Sequence, residues 1–309
     1  MTQHRFTEGL AVPRVGRWAD LVRQLRRASR LGIVYSTVIV IYYAVLFVLP
    51  FGVAVWLSFQ HWDYIVTPKF AGFENYARFA TDSDFWLSLG NTLRFGAVEG
   101  VIALGLMLLV ALLVTTVRGQ CEGFFLSIYY LPAITPGIVS AYLWRWLYRP
   151  TGGVFNSILT AIGLPEQGFL ANTRQAIWCI TAMVIWTYIG SGAVLFAAGI
   201  KSIPASLYEA AQIDGAGFWQ RFFKVTLPLL RPVLLYQVVV SVIAIAQMFD
   251  PFFLMGGGKY ARPLSLYLYQ LGFQSYNLGF GAAVSLFMFV MLLVATVFQL
   301  QRFRQRWEY

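Results

Sequence analysis

Residues 31 to 59 carry not one Asp, Glu, Lys or Arg. That stretch outruns the roughly 20 apolar residues with which an α-helix crosses a hydrocarbon core about 30 Å thick. In lipid a helix meets all its backbone hydrogen bonds within one segment, so a run of this kind predicts a membrane-spanning helix. It is too long for a signal-peptide core, and no small-residue cleavage site follows it. Pro50 inside it predicts a kink. Five further predominantly apolar runs, at residues 89–117, 124–148, 176–200, 233–255 and 278–300, are also long enough to span. The expected fold is an all-α integral membrane protein of six transmembrane helices, which places both termini on one side. Composition agrees, since 12% charged residues is about half the usual share in soluble domains.

The basic residues set the orientation. Residues 1–30 hold seven, Arg118 is one, 201–232 hold four and the C-terminus three, fifteen in all on the side of the termini. The other side holds eight: Lys69, Arg78, Arg94, Arg145, Arg149, Arg174, Lys259 and Arg262. The positive-inside rule therefore predicts cytoplasmic termini. It also accounts for the net charge of +10 without nucleic acid as a partner. Two parts are expected, a basic segment 1–30 and a six-span domain 31–309. In the first, Trp18, Leu21, Val22 and Leu25 recur at helical spacing, so it is either an amphipathic helix on the anionic leaflet or a frayed basic tail.

The polar connection 201–232 is far longer than a mere link between two spans requires. Ser206 with Glu209 three residues on reads as a capping box that opens a short helix. Leu207, Ala210 and Ala211 share one face, and the two alanines leave it nearly bare. Asp214-Gly215 is a turn in which Gly supplies a positive φ. Phe218, Trp219, Phe222 and Phe223 form an aromatic cluster before Leu227-Pro228 and Pro232 lead into the next apolar run.

Taken together, Glu209-Ala210-Ala211, Gly215, Val225 and Leu227-Pro228 resemble, at their spacing, the EAA signature of ABC importer permeases, with Val225 where that pattern usually has Ile. Phe70-Ala71-Gly72-Phe73-Glu74-Asn75-Tyr76, Phe85-Trp86, Asn91-Thr92 and the stretch from Thr151 through Asn156 to Leu159 resemble the carbohydrate branch, of the maltose or glycerol-phosphate type. The resemblance implies the architecture of an ABC type I importer permease. In that family this loop is a helix seated in a groove of a cytoplasmic ATPase, which assigns ATPase coupling to Glu209, Ala210, Ala211, Asp214, Gly215, Leu227 and Pro228. It further implies a homologous second permease, an ATPase dimer that uses ATP and Mg, an extracytoplasmic binding protein, and a prokaryotic inner membrane as the setting. One departure stands out: Met255-Gly256-Gly257-Gly258-Lys259 lacks the Pro with which the family usually ends its glycines.

That turn is not a phosphate loop, because the places of the first Gly and of the Ser or Thr hold Phe253 and Tyr260. His4 and His61 fall on opposite sides and lack companions, so no metal site is expected. Cys121 and Cys179 lie at opposite ends of their spans, beyond the ~7 Å reach of a disulfide. No nucleophile, base and oxyanion constellation is legible, so catalysis by this chain is not expected, nor a cofactor of its own.

Ionisable groups within spans are candidates for function because burying them in lipid is costly. Glu99 reads either as a pathway group or as a partner of Arg94 or a hydroxyl. For a sugar crossing at mid-span, Trp186, Thr187, Tyr188 and Ser191 with the flexible pair Gly190 and Gly192, and then Ser241, Gln247 and Asp250, offer hydrogen bonds and ring faces. The same groups are also suited to bonding between helices. Two rivals remain: a secondary transporter, which needs coupling carboxylates or sodium sites amid broken helices, and a channel subunit, which conducts without substrate. Single cysteines in 201–232 and in 69–84, treated with a membrane-impermeant thiol reagent in intact cells, check the topology. Only those in 69–84 should label.

Overall fold

The computed structural model describes residues 30–117 and 120–303. The expectations for the basic N-terminal segment, Arg118 and the last residues lie outside them. The chain falls into two units, Met1–Ala54 and Val55–Tyr309.

Helix α1, Val34–Ser58, is one uninterrupted candidate span. Pro50 lacks an N–H and its ring crowds the carbonyl four residues back. The chain accommodates it with a π-helical turn at Ala44–Val48 before α-helix resumes at Leu49.

The second unit opens with a short antiparallel pair, β1 (Gln60–His61) and β2 (Lys69–Phe70), and a helical turn α2 (Glu74–Ala77). Helix α3 (Ser83–Thr116) starts where Asp82 accepts a hydrogen bond from the Phe85 N–H at 2.8 Å. Then come α4 (Gln120–Ile134), α5 (Gly137–Leu147), α6 (Val154–Ala161) and α7 (Ala176–Lys201). Helices α8 (Ala205–Ile213) and α9 (Phe218–Leu229) form the long connection to α10 (Arg231–Gln247). Finally α11 (Asp250–Met255) and α12 (Leu264–Tyr269) lead to α13 (Leu278–Phe303). Among the described residues four helices are long and apolar enough to cross a membrane, and there are six crossings when each of two bent pairs is one span.

Two expected spans differ in form. The third is not one helix over 124–148: it bends by 91° between Ile134 and Gly137. Pro136 has no N–H to continue the ladder, and its carbonyl instead accepts from Val139 and Ser140 to start α5. The fifth does not run through residue 255, because α10 ends at Gln247. An unbroken helix would drive the Pro251 ring into the Gln247 carbonyl. The carbonyl exposed by the break, on Met248, accepts from the Ser265 hydroxyl at 2.6 Å.

Helix α7 lies at the centre of the unit, with Ile180, Met183, Val184, Ala193 and Phe196 nearly inaccessible. Its glycines permit the approach. A Cβ on Gly190 would overlap the backbone of Tyr129 in α4, and one on Gly192 would overlap Met107 of α3. Gly199 faces Leu230 and Val233, at 2.8 and 3.0 Å from such a Cβ. Gly190 and Gly192 are therefore buried helical residues that admit neighbours, not a flexible pair. Membrane helices gain little hydrophobic energy from meeting one another, and contact at small residues supplies packing in its place.

The outer connections are tied by carboxamides. Asn75 donates to the Ser58 and Gln60 carbonyls at 2.9 and 2.8 Å. Asn91 donates to the Lys259 and Arg262 carbonyls, and Asn156 to those of Pro150 and Gln167. The Met255–Lys259 turn takes φ of +85°, +99° and +66° at its three glycines, so the conformation there is one open to glycine.

Overpacking a well-filled contact costs about 1–3 kcal/mol, and at Gly190 the obstacle is backbone, which cannot rotate aside. Gly190→Val should lower the melting temperature of the purified protein by several degrees or abolish its folded peak in size-exclusion chromatography. Gly105→Ala, which meets nothing within 4 Å, should melt with the wild type.

Candidate functional site

The connection between α7 and α10 is a built structure. Helix α8 begins at Pro204, whose carbonyl accepts from Leu207 at 3.1 Å. The expected Ser206–Glu209 capping box does not form: Ser206 lies inside the helix, one residue past its start, and no side chain caps that start. Proline supplies the start on its own, its fixed backbone angle already suiting the junction.

The other end of α8 closes as a Schellman motif. Ala216 N–H donates to Ala211 at 2.9 Å and Gly215 N–H to Gln212 at 3.0 Å, with Gly215 at φ +75°. The turn expected at Asp214-Gly215 is present, and its residue type follows from that φ. Glu209, Ala210 and Asp214 are exposed and Ala211 is half-buried, so the alanine face is open to an incoming surface.

Helix α9 then folds back. Gln220 accepts from the Gly217 N–H at 3.0 Å. Phe222–Thr226 is a π-turn, which makes room for the Pro228 ring as in α1. Leu227 and Pro228 form the last turn of α9, and the chain bends by 67° into α10. One contact holds the loop together and another ties it to the bundle. The Tyr208 hydroxyl meets the Thr226 hydroxyl at 3.0 Å, joining α8 to α9, while Leu230, almost fully buried, packs over Gly199 of α7. Lys201 at the end of α7 pairs with Glu122 of α4 at 2.6 Å.

The expected pathway residues separate into two groups. Thr187 is buried and its hydroxyl donates to the Met183 carbonyl of its own helix at 3.0 Å, as Ser191 does to Tyr188 at 2.8 Å. Trp186 meets Trp144 at 5.7 Å and, with Ile102, Tyr129 and Pro132, lines an apolar cavity of about 540 Å³. Tyr188, at 45% exposed, and Gln247 and Asp250, at the break after α10, are open to the outside of the chain, and Ser241 is half-buried. None of these four lines the cavity at Trp186.

Glu99 is 5% exposed, and its Oε2 has no hydrogen-bond partner among the described residues. The anticipated pairing with Arg94 is not made, since Arg94 points to the exposed side of α3.

A further cluster was not legible in the sequence. Arg262 reaches Ser88 at 3.2 Å, Gln270 at 2.9 Å and Asp84 at 3.3 Å, and its guanidinium lies 4.6 Å from the centre of the Tyr267 ring. The Tyr267 hydroxyl donates to Asp82 at 2.9 Å, and Asp82 also pairs with Arg78. Burial, and then the hydrogen bond and charge of Asp82, push the Tyr267 phenol above its ordinary pKa, against Arg78 and Arg262. These groups border a polar cavity of about 360 Å³. Partners 174 or more positions apart, such as Ser88 and Arg262, leave no local pattern by which to find them.

The comparisons with known proteins follow the same lines. Residues 101–307 match the family described as binding-protein-dependent transport system inner membrane component. The trehalose/maltose transport system permease protein MalF of Thermococcus litoralis is 33% identical over 287 residues, 90% of this chain and 96% of that protein. The probable ABC transporter permease protein YesP of Bacillus subtilis is 30% identical over 284 residues, 89% and 91% of the two chains. In fold, a chain from a bacterial ABC transporter involved in the import of the acidic polysaccharide alginate aligns with a TM-score of 0.79 at 24% identity, covering 93% of this chain and 98% of that one.

The Tyr208–Thr226 contact has a measurable role. A hydrogen bond of this type contributes about 1 kcal/mol, so Thr226→Val should speed amide exchange across 205–213 by about fivefold while leaving exchange in α7 unchanged. Equal exchange in both proteins would mean that α8 is held by its caps alone.

Proposed function

The chain belongs to the family of binding-protein-dependent transport system inner membrane components, and from that premise we propose that it is the permease subunit of an ABC importer for a carbohydrate or related polyol. The observation that carries the reading is α8, a short helix with an open alanine face, closed by a Schellman turn and joined by Tyr208 to α9, whose far end is seated at Leu230 on Gly199. A connecting loop has no need of such a device. An element that receives force from a partner does, because a loose loop would absorb the displacement.

In this mechanism a loaded extracytoplasmic binding protein docks on the outer side and a homologous permease completes the pathway. Two ATPase subunits bind the ATP and Mg, and their closure pushes on Glu209, Ala210, Ala211 and Asp214. Gly215, Leu227 and Pro228 hold the loop in shape while α7 and α10 carry the displacement into the spans, in the manner of alternating access. The chain itself makes and breaks no covalent bond. Its setting is the prokaryotic plasma (inner) membrane.

Tyr188 and Gln247 are the groups assigned to the sugar pathway, since both are exposed on the chain and offer a ring face and a carboxamide. Thr187 spends its hydroxyl on its own helix and supports packing instead.

Ala210→Trp and Gly215→Val should each abolish substrate-stimulated ATP hydrolysis by the assembled complex by tenfold or more while the chain still inserts in the membrane. Wild-type stimulation in both would remove α8 as the coupling element. Separately, Gln247→Ala and Tyr188→Ala should lower substrate uptake at least fivefold with basal ATP hydrolysis and assembly intact. Unchanged uptake kinetics would move the sugar site to the partner permease.

A further inference from the structure

Helix α9 leaves a large apolar surface uncovered. Trp219 is 67% exposed, Phe223 58% and Phe218 55%, and Trp219 and Phe223 stack at 6.1 Å. The opposite side is occupied: Thr226 is buried against Tyr208. Three large rings open to water at one place on a folded chain mark a surface that meets something apolar.

The geometry says what. Helix α9 is bent by 67° from the spanning helix α10, so where α10 crosses the membrane α9 lies closer to the membrane plane than to its normal. It sits at the very end of that span, and the exposed apolar surface continues from Leu229 to Tyr236 and Val240 on α10. From Gly215 to Pro232 there is no Asp or Glu, while Arg221, Lys224 and Arg231 are present. Aromatic rings beside cations, on a helix near the membrane plane, have the chemistry of the headgroup boundary: rings enter the acyl margin and cations meet phosphates.

We propose that α9 is a membrane-surface helix, with Phe218, Trp219 and Phe223 seated in the boundary of the anionic cytoplasmic leaflet and Arg221 and Lys224 against phospholipid phosphates. Its sidedness rests on the importer reading; its contact with lipid does not. The consequence is that α9 divides the connecting loop between two partners, α8 facing protein and α9 facing lipid.

Site-directed spin labelling tests this on the full chain in nanodiscs of phosphatidylethanolamine with phosphatidylglycerol. A nitroxide is placed by Trp219→Cys, and separately by Phe223→Cys in case the first variant misfolds, with Cys121→Ser and Cys179→Ser throughout. Gln212→Cys on α8 is the aqueous control. The expected result is greater collision with oxygen than with a nickel chelate at 219 or 223, and the reverse at 212. The balance at 219 should move toward water when phosphatidylcholine replaces phosphatidylglycerol, and likewise in Arg221→Gln/Lys224→Gln. Access to the chelate at 219 and 223 overturns the proposal, as does shielding from both reagents that appears when the ATPase is added, which would assign the rings to that protein. An unchanged balance after removal of the anionic lipid or the two cations overturns the phosphate contact. Failure of the ATPase to bind would count against the importer reading and leaves the depth of α9 measured on its own terms.

Discussion

Contact between helix surfaces at the glycines of α7 is the interaction on which the rest depends. In a membrane, lipid competes with protein for every apolar side chain, so helices are held together by closeness of approach and by hydrogen bonds, not by escape from water. Gly190 brings α4 against α7, Gly192 admits Met107 from α3, and Gly199 receives Leu230 at the head of α10. One helix thus sets the positions of three others. The loop that follows α7 inherits its place from the last of these contacts.

Where the helices break, the free polar groups find partners. Met248 is answered by Ser265, and Pro136 by the first amides of α5. Asn91 serves two carbonyls beyond the glycine-rich turn, and Asp82 serves an amide and a phenol at once. Such pairings matter in an apolar setting because an unanswered carbonyl or amide there costs several kcal/mol. Glu99 departs from this pattern, with a carboxyl oxygen enclosed and unpartnered among the described residues, as is the Ser140 hydroxyl.

Much of this was legible beforehand. Apolar run length is a bulk property set by bilayer thickness, which is why the spans could be placed from composition. Gly215 was legible because a positive φ selects its residue type locally. The breaks at Pro136 and Pro251 were harder, since a proline within an apolar run is as compatible with a kinked span as with a broken one. Ser206 illustrates a local pattern defeated by a stronger neighbour: the capping sequence is present, but Pro204 takes the cap position two residues earlier. The Arg262 cluster and the work of Asn75 and Asn91 depend on residues distant in sequence, which one chain read alone does not bring together. Among the site residues, exposure separated Tyr188 from Thr187, and nothing in their adjacent positions had distinguished them.

The seat of Leu230 over Gly199 also has a mechanical meaning. It lies at one end of α7, which as a rigid rod of 26 residues is about 39 Å long at 1.5 Å per residue. A rod pivoting at that seat multiplies angle into distance, and a tilt of about 5° would sweep its far end by about 3 Å for a helix of this length. That far end carries Ile177 and Cys179, inside the cluster that holds Phe252 and Met255 of α11. The seat thus ties the loop to the end of α7 opposite that cluster, so one rigid helix joins the two.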